Sequence, residues 1–189
     1  MRQLDAESWA RALSMYARRY TVAKVTSRKH EDWALDLRAL MHGDTADNRG
    51  WRLCDPLLGE FERLRDPYYP FMVPSDDPSA LDAWKTRLQE IPLPSAKRFL
   101  VALSTLWLNV EKEEHFDERR ASLEGKADII LSRFPQGSRF YANTGRDSEN
   151  LDYYKRIPGC NTISVHLWDL GLFLVSDSEV GMVWSFHAW

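Results

Sequence analysis

The chain has 189 residues, of which 44% are hydrophobic and 28% are charged, and its formal net charge is −3. This composition is typical of a folded globular protein and excludes a disordered chain. No segment is basic enough to follow a phosphate backbone, so nucleic-acid binding is not expected as the main role. Eight Trp, seven Tyr and eight Phe are unusually many. Such side chains fill cores and also stabilise protein interfaces.

The first two-thirds of the chain shows helical periodicity. Asp5 and Asp77 can each cap the first turn of a helix, and proline follows Asp77 at the first helical position. A helix over residues 31–41 would end at Gly43. The segment 21–29 stays ambiguous, because its threonines and valines also suit a strand.

Further helices are predicted after residue 54. Asp55-Pro56 is another helix start, and its helix would bury Leu57, Phe61 and Leu64. The strongest helix begins at Ser95, turns polar at Glu111 and breaks near there, and another helical run covers 119–134. Between these helices, four prolines in residues 67–78 predict an extended segment that lies over the surface.

Past residue 135 the hydrophobic period changes from 3.6 to 2, which indicates strands. The predicted strands are 139–143, 161–167, 172–176 and 182–189, with a tight turn at WDLG and another at DSEVG. We therefore expect a single α+β domain over residues 1–189. Its helical part, about 1–134, would pack on an antiparallel β-meander of three to four strands, about 138–189. The chain's final residue, Trp189, should be docked in the core or against a partner.

No nucleotide-binding or nucleophile-elbow motif is present, and no cofactor is expected. Glu111 and His115 are one helical turn apart, but a metal site needs three or four convergent ligands, and a solvated acidic helix explains the pattern. No metal is expected either. Cys54 and Cys160 belong to no CxxC or Cys/His pair and suggest two idle or buried thiols.

The predicted location is the reducing cytoplasm. The N-terminal segment lacks the uninterrupted apolar stretch of a signal peptide. No stretch reaches the roughly 18 apolar residues that a membrane span needs, so no membrane association is expected.

Two aromatic segments suggest a surface for a protein partner. Tyr68 and Tyr69 lie in a proline-stiffened stretch that would lose little entropy on binding. The loop 143–154 is acidic, contains Arg146 and ends in paired tyrosines. These features predict contact residues, namely Tyr68, Tyr69, Arg146, Asp147, Glu149 and Asp152.

In its size, its aromatic richness and a β-meander at the end of the chain, this sequence resembles the immunity proteins of bacterial toxin systems. The resemblance is one of overall character spread over the chain. It implies a one-to-one complex with a cognate toxin whose active site is blocked without chemistry. The acidic clusters at 76–77, 111–118 and 147–152 would suit a basic toxin such as a nuclease.

Two alternatives stay open. One is a small enzyme with a dispersed site formed by His166, His187 and Asp169, if their strands bring the two imidazoles together. The other is an adaptor subunit of a larger, for example phage-encoded, assembly. A polar pocket would favour the enzyme, and a large exposed apolar patch would favour either binding role.

Overall fold

The sheet at the centre of the fold takes its strands from both parts of the chain. The computed structural model describes residues 5–17, 20–43, 51–53, 60–144, 152–155, 157 and 159–187. In this part of the chain the sheet has six antiparallel strands in the order β2-β1-β6-β5-β4-β3. The strands are β1 Thr21–Ser27, β2 Trp51–Leu53, β3 Gln89–Ile91, β4 Arg139–Ala142, β5 Trp168–Val175 and β6 Glu179–His187.

The helices are α1 Ala6–Leu13, α2 Trp33–His42, α3 Glu60–Arg65, α4 Pro78–Lys85, α5 Leu93–Ala102 and α6 Phe116–Leu131. Asp5 caps α1 and Asp77 caps α4 through side-chain hydrogen bonds, as predicted. Gly43 ends α2 with φ of 99°, a backbone conformation that favours glycine. The helix start predicted at Asp55-Pro56 lies outside the described residues.

Helices cover both faces of the sheet. On β5, Leu170 and Leu172 belong to one core, together with side chains of α1, α5 and α6. Phe173 and Val175 point the other way, into a second core with side chains of α2 and α4. Because both faces are buried, β5 and β6 are apolar nearly throughout instead of alternating with polar residues. We call these the α5 face and the α2 face.

The predicted α+β class is confirmed, with helices in the N-terminal part and a meander of β4, β5 and β6 in the C-terminal part. The strand count was too low, because β1, β2 and β3 from the helical part join the same sheet. The predicted strand at 161–167 is wrong. That segment makes only an isolated bridge between Ser164 and Phe71, and the predicted WDLG turn is instead the start of β5.

Two helix predictions also need correction. The helix from Ser95 was expected to run to Glu111, but α5 ends at Ala102. The chain then continues in two short 3-10 helices, Leu106–Leu108 and Val110–Lys112. Phe61 and Leu64 on α3 were expected to be buried, yet they are 79% and 80% exposed. No helix in the described ranges is long and apolar enough to cross a membrane.

Candidate protein-binding surface

The predicted contact residues do not form one site. Tyr68 packs on the core of the α2 face. Asp152 lies on the other side of the sheet, 3.8 Å from Arg98 of α5, and its neighbour Tyr153 is buried in the α5-face core. Arg146, Asp147 and Glu149 lie outside the described residues.

Tyr68 and Tyr69 have different environments. The Tyr68 ring is held between the His42 ring, at 5.1 Å, and the Arg38 guanidinium, at 5.9 Å from the Tyr68 ring centroid. Tyr69 is only partly buried and contacts the His166 ring edge-on at 6.4 Å. Burial and the nearby Glu62 carboxylate both raise the pKa of Tyr69. Tyr68 therefore supports the fold locally, and Tyr69 belongs to the surface.

Residues 70–72 pair with residues 163–165 as a short two-stranded ribbon beside the sheet, and residues 68–69 and 166–167 flank this pairing. The Val165 amide donates to the Pro70 carbonyl at 2.9 Å, and the Met72 amide donates to the Ile163 carbonyl at 2.7 Å. Phe71 is buried beneath the ribbon and packs against Phe186 of β6 at a ring distance of 5.4 Å. Up to α4 the proline-rich segment is not helical, but residues 67–70 form turns instead of the extended stretch that was predicted, and residues 70–72 are tied to a second segment nearly a hundred positions later.

Asp169 fixes this ribbon to the sheet. Its side chain is fully buried. It accepts hydrogen bonds from the backbone amides of Ile163 and Ser164 and from the Ser164 hydroxyl. The Trp184 indole N–H and the side-chain amide of Asn143 also donate to it. Burial raises the pKa of this carboxyl, and the hydrogen bonds from Ser164, Trp184 and Ile163 oppose that shift. Because its hydrogen-bonding capacity is used internally, Asp169 positions the 163–167 segment rather than facing a substrate.

His166 and His187, the two imidazoles of the enzyme alternative, contact different rings. His166 packs against Tyr20 and Phe186 at 5.6 and 5.3 Å. His187 stacks on Trp107 at 4.7 Å. Phe186 points to the α2 face, and its neighbour His187 points the opposite way, since side chains alternate along a strand. The two imidazoles and Asp169 are therefore not assembled as a catalytic group.

The ribbon also exposes apolar side chains that the sequence did not single out. Leu167 is 96% exposed and Val165 is 57% exposed. Together with Tyr69, Met72 and His166, they form what we call the ribbon surface. The run Val165–Leu167 was predicted to be the end of a strand, and that prediction did not mark these two side chains as exposed.

Two clefts lie along α6. The first, about 480 Å³, lies at its N-terminal end and is lined by Glu113, His115, Phe116, Glu118 and Tyr154 among others. The second, about 410 Å³, lies between α6 and the end of α1, with Ser14, Ser104, Arg119 and Lys126 among its lining residues. Neither cleft is lined by the residues of the enzyme alternative.

The structure also places the other chemically reactive residues. His115 Nδ1 lies 3.2 Å from Glu118 Oε1, and no group of three or more His, Cys, Asp or Glu that could hold a metal occurs among the described residues. Burial raises the pKa of Cys160 to about 11, which keeps the thiol protonated at neutral pH. Cys54 is not among the described residues.

Comparison with protein-family models, with curated proteins and with solved structures gave no match to this chain.

Proposed function

We propose that this protein is a non-enzymatic binding protein that occludes a partner protein through the ribbon surface. One observation carries the proposal. Leu167 is almost completely exposed on a segment that a buried carboxylate holds in place. An apolar side chain of this size contributes about 1.5–3 kcal/mol when it is removed from water, and here that contribution is left for a complex.

The arrangement suits binding because it is already ordered. The hydrogen bonds from the Val165 amide to the Pro70 carbonyl and from the Met72 amide to the Ile163 carbonyl order the backbone of the ribbon before any partner arrives. The bonds from the backbone amides of residues 163 and 164 to Asp169 add to this order. Ordering a loop backbone on binding costs free energy in addition to that of fixing side chains, and the ordered ribbon avoids the backbone part of this cost. Val165 and Leu167 with Tyr69 resemble the apolar centre of an interface, where most binding energy resides.

Acidic residues surround the ribbon in sequence. Residues 60–78 contain five acids, Glu60, Glu62, Asp66, Asp76 and Asp77, against two bases, Arg63 and Arg65. This imbalance would speed association with a basic surface and disfavour an acidic one. The proposed partner is therefore a basic protein toxin, for example a nuclease, that the chain neutralises in the cytoplasm as immunity proteins do.

The test is a pull-down of the tagged protein from a lysate of its native host, with Leu167→Asp as the variant and Leu93→Asp as the control. Leu93 is also exposed, but it follows β3, whose register places it at the opposite end of the sheet. We expect wild type and Leu93→Asp to retain one stoichiometric partner that is toxic when expressed alone. Leu167→Asp should lose that partner and no longer rescue growth.

Other outcomes separate the competing roles. A stoichiometric partner that is harmless when expressed alone would indicate an adaptor subunit instead of a toxin inhibitor. If Leu167→Asp retained the partner as well as wild type does, the ribbon surface would not be the contact. A clean monomer with no partner in the host lysate would overturn the proposal.

A further inference from the structure

The connection between α5 and α6 presents a second exposed aromatic side chain. Trp107 is 40% exposed and its neighbour Leu106 is 45% exposed. Trp107 and Leu108 have φ of 59° and 53°, in the left-handed region that residues other than glycine rarely occupy. A strained backbone of this kind persists only where the surrounding structure holds it.

Several contacts hold this turn. Leu103 before the turn's exposed tip, and Leu108 and Val110 after it, are buried in the α5-face core. The Glu113 carboxylate accepts a hydrogen bond from the Leu106 amide at 2.7 Å and one from Arg119 at 2.5 Å. Trp107 therefore projects from a turn whose backbone is fixed by hydrogen bonds and by buried neighbouring side chains.

The turn lies at the same end of the sheet as the ribbon surface. Trp107 stacks on His187, the last residue of β6, at 4.7 Å. His187 is the register partner of Trp168, which begins β5 and directly follows Leu167. An aromatic and apolar path therefore runs around this end of the sheet, from the ribbon surface on the α2 face to Trp107 on the α5 face.

Acidic residues outnumber basic ones in the segment that carries Trp107, although Lys112 lies 5.5 Å from the Trp107 ring and Arg119 and Arg120 follow the segment. Residues 105–118 contain five acids, Glu111, Glu113, Glu114, Asp117 and Glu118, against one lysine, Lys112. Four of these acids are exposed, and the fifth, Glu113, accepts the hydrogen bond from the Leu106 amide. A surface with an aromatic centre and an acidic rim is complementary to an apolar cleft rimmed by arginine or lysine.

We infer that Trp107 is a second anchor of the partner-binding surface, and that it enters an apolar cleft of the partner that is rimmed by basic side chains. This inference rests on the proposed function and specifies its contact chemistry. The partner contacts both sides of one end of the sheet, with Leu167 on the ribbon and Trp107 on the turn.

The first experiment uses a photo-crosslinking phenylalanine analogue at one position at a time in the full chain, expressed in the native host. Positions 107 and 167 are the test sites and position 93 is the control. We expect 107 and 167 to crosslink to the same protein and 93 not to do so. The crosslinked peptide from position 107 should contain more Lys and Arg than Asp and Glu.

The outcomes distinguish the inference from the function on which it rests. Crosslinking at 167 without crosslinking at 107 would overturn the role of Trp107 and leave the proposed function standing. Absence of a stoichiometric adduct at both positions would overturn the proposed function. Equal labelling at 107 and 93, or an acidic peptide at 107, would count against the inference.

Binding measurements with the purified partner complete the test. Trp107→Ala should weaken binding by about 30-fold or more, the size typical of a buried aromatic anchor. The triple variant Glu111→Gln, Glu114→Gln and Glu118→Gln changes only exposed side chains and should slow association, most strongly at low salt. Lys112→Gln changes the charge in the opposite direction, by removing the ammonium group 5.5 Å from the Trp107 ring, and should not slow association. Unchanged association of the triple variant would contradict the basic rim.

Discussion

Gly171 lies directly opposite Trp184 where β5 pairs with β6, and a Cβ atom at position 171 would stand 2.0 Å from the indole ring. The indole is fully buried and donates to Asp169 at 3.1 Å. The missing side chain at 171 therefore makes room for the ring that reaches the carboxylate. Through this contact the packing within the sheet also supports the ribbon.

Gly171→Ala should destabilise the fold by about 3 kcal/mol, because the new methyl group cannot fit without moving the indole or the strand. The control is Gly125→Ala in α6, where an added Cβ atom meets nothing within 4 Å. This control should raise stability by about 0.5–1 kcal/mol, as alanine is the better helix former. Urea unfolding measures the change in stability of both variants. Equal changes at the two positions would contradict the prediction.

Asp169→Asn should lower stability by about 3 kcal/mol, because the amide group cannot accept all the hydrogen bonds that the carboxylate accepts. The amides of Ile163 and Ser164 should also exchange hydrogen faster, since they lose their acceptor. Asp177→Asn is the control, because its side chain is fully exposed and its 4.0 Å ion pair with Arg28 contributes little to stability. Amide hydrogen exchange, measured for both variants, tests whether Ile163 and Ser164 lose protection only in Asp169→Asn. Unchanged protection at 163 and 164 would mean that the carboxylate does not hold the ribbon.

Stability should fall as the pH drops from about 7 to about 5, partly through His166. Burial lowers the pKa of His166, and the Asp169 carboxylate partly opposes this shift. The unfolded chain therefore binds a proton near pH 6.5 that the folded chain binds only at lower pH. The contribution of neutral His166 is complete above pH 6.5 and is lost as the pH falls through the lower pKa of the folded state.

The variant His166→Phe removes this titration and keeps an aromatic ring between Tyr20 and Phe186. Its loss of stability between pH 7 and pH 5 should be smaller than that of wild type. Urea unfolding at several pH values in this interval gives the two slopes. Identical slopes would show that His166 titrates alike in the folded and unfolded chains.

Two arginine–glutamate pairs offer a matched comparison of burial. Arg133, two residues beyond the end of α6, donates twice to Glu179 of β6, and its side chain is 4% exposed. Arg139 makes a similar bidentate pair with Glu90, but the Arg139 side chain is 59% exposed. Lysine cannot reproduce either arrangement. Arg133→Lys should cost about 2 kcal/mol and Arg139→Lys about 0.5 kcal/mol or less. Equal losses on thermal or urea unfolding would contradict this expectation.

The features that were predicted correctly depend on neighbours within one helical turn. Asp5, Asp77 and Gly43 mark helix ends by hydrogen bonds or backbone angles that involve only nearby residues. The change to strand periodicity after residue 135 also follows from local pattern. Such interactions can be recognised in a sequence because both partners lie in the same short segment.

The errors lie where distant segments decide the outcome. Residues 161–167 have the composition of a strand, but Asp169 and the 68–72 segment hold them as a ribbon. Gly171 was interpreted as part of a turn, and its role became clear only from Trp184 across the strand pair. Tyr69 was predicted from the sequence as a contact residue, whereas Leu167 and Trp107, the two proposed anchors, were not singled out.

By itself the sequence determined the α+β class and the positions of several helix ends, because periodicity and capping act over a few residues. It also determined the aromatic surplus and the acidic segments, which are properties of composition. The tertiary structure alone decided that both faces of the sheet are covered, that Tyr68 and Asp152 lie on opposite sides of it, and that Leu167 and Trp107 share one end. The exposure of a side chain depends on which distant segments pack around it, and the local pattern of a sequence does not contain that information.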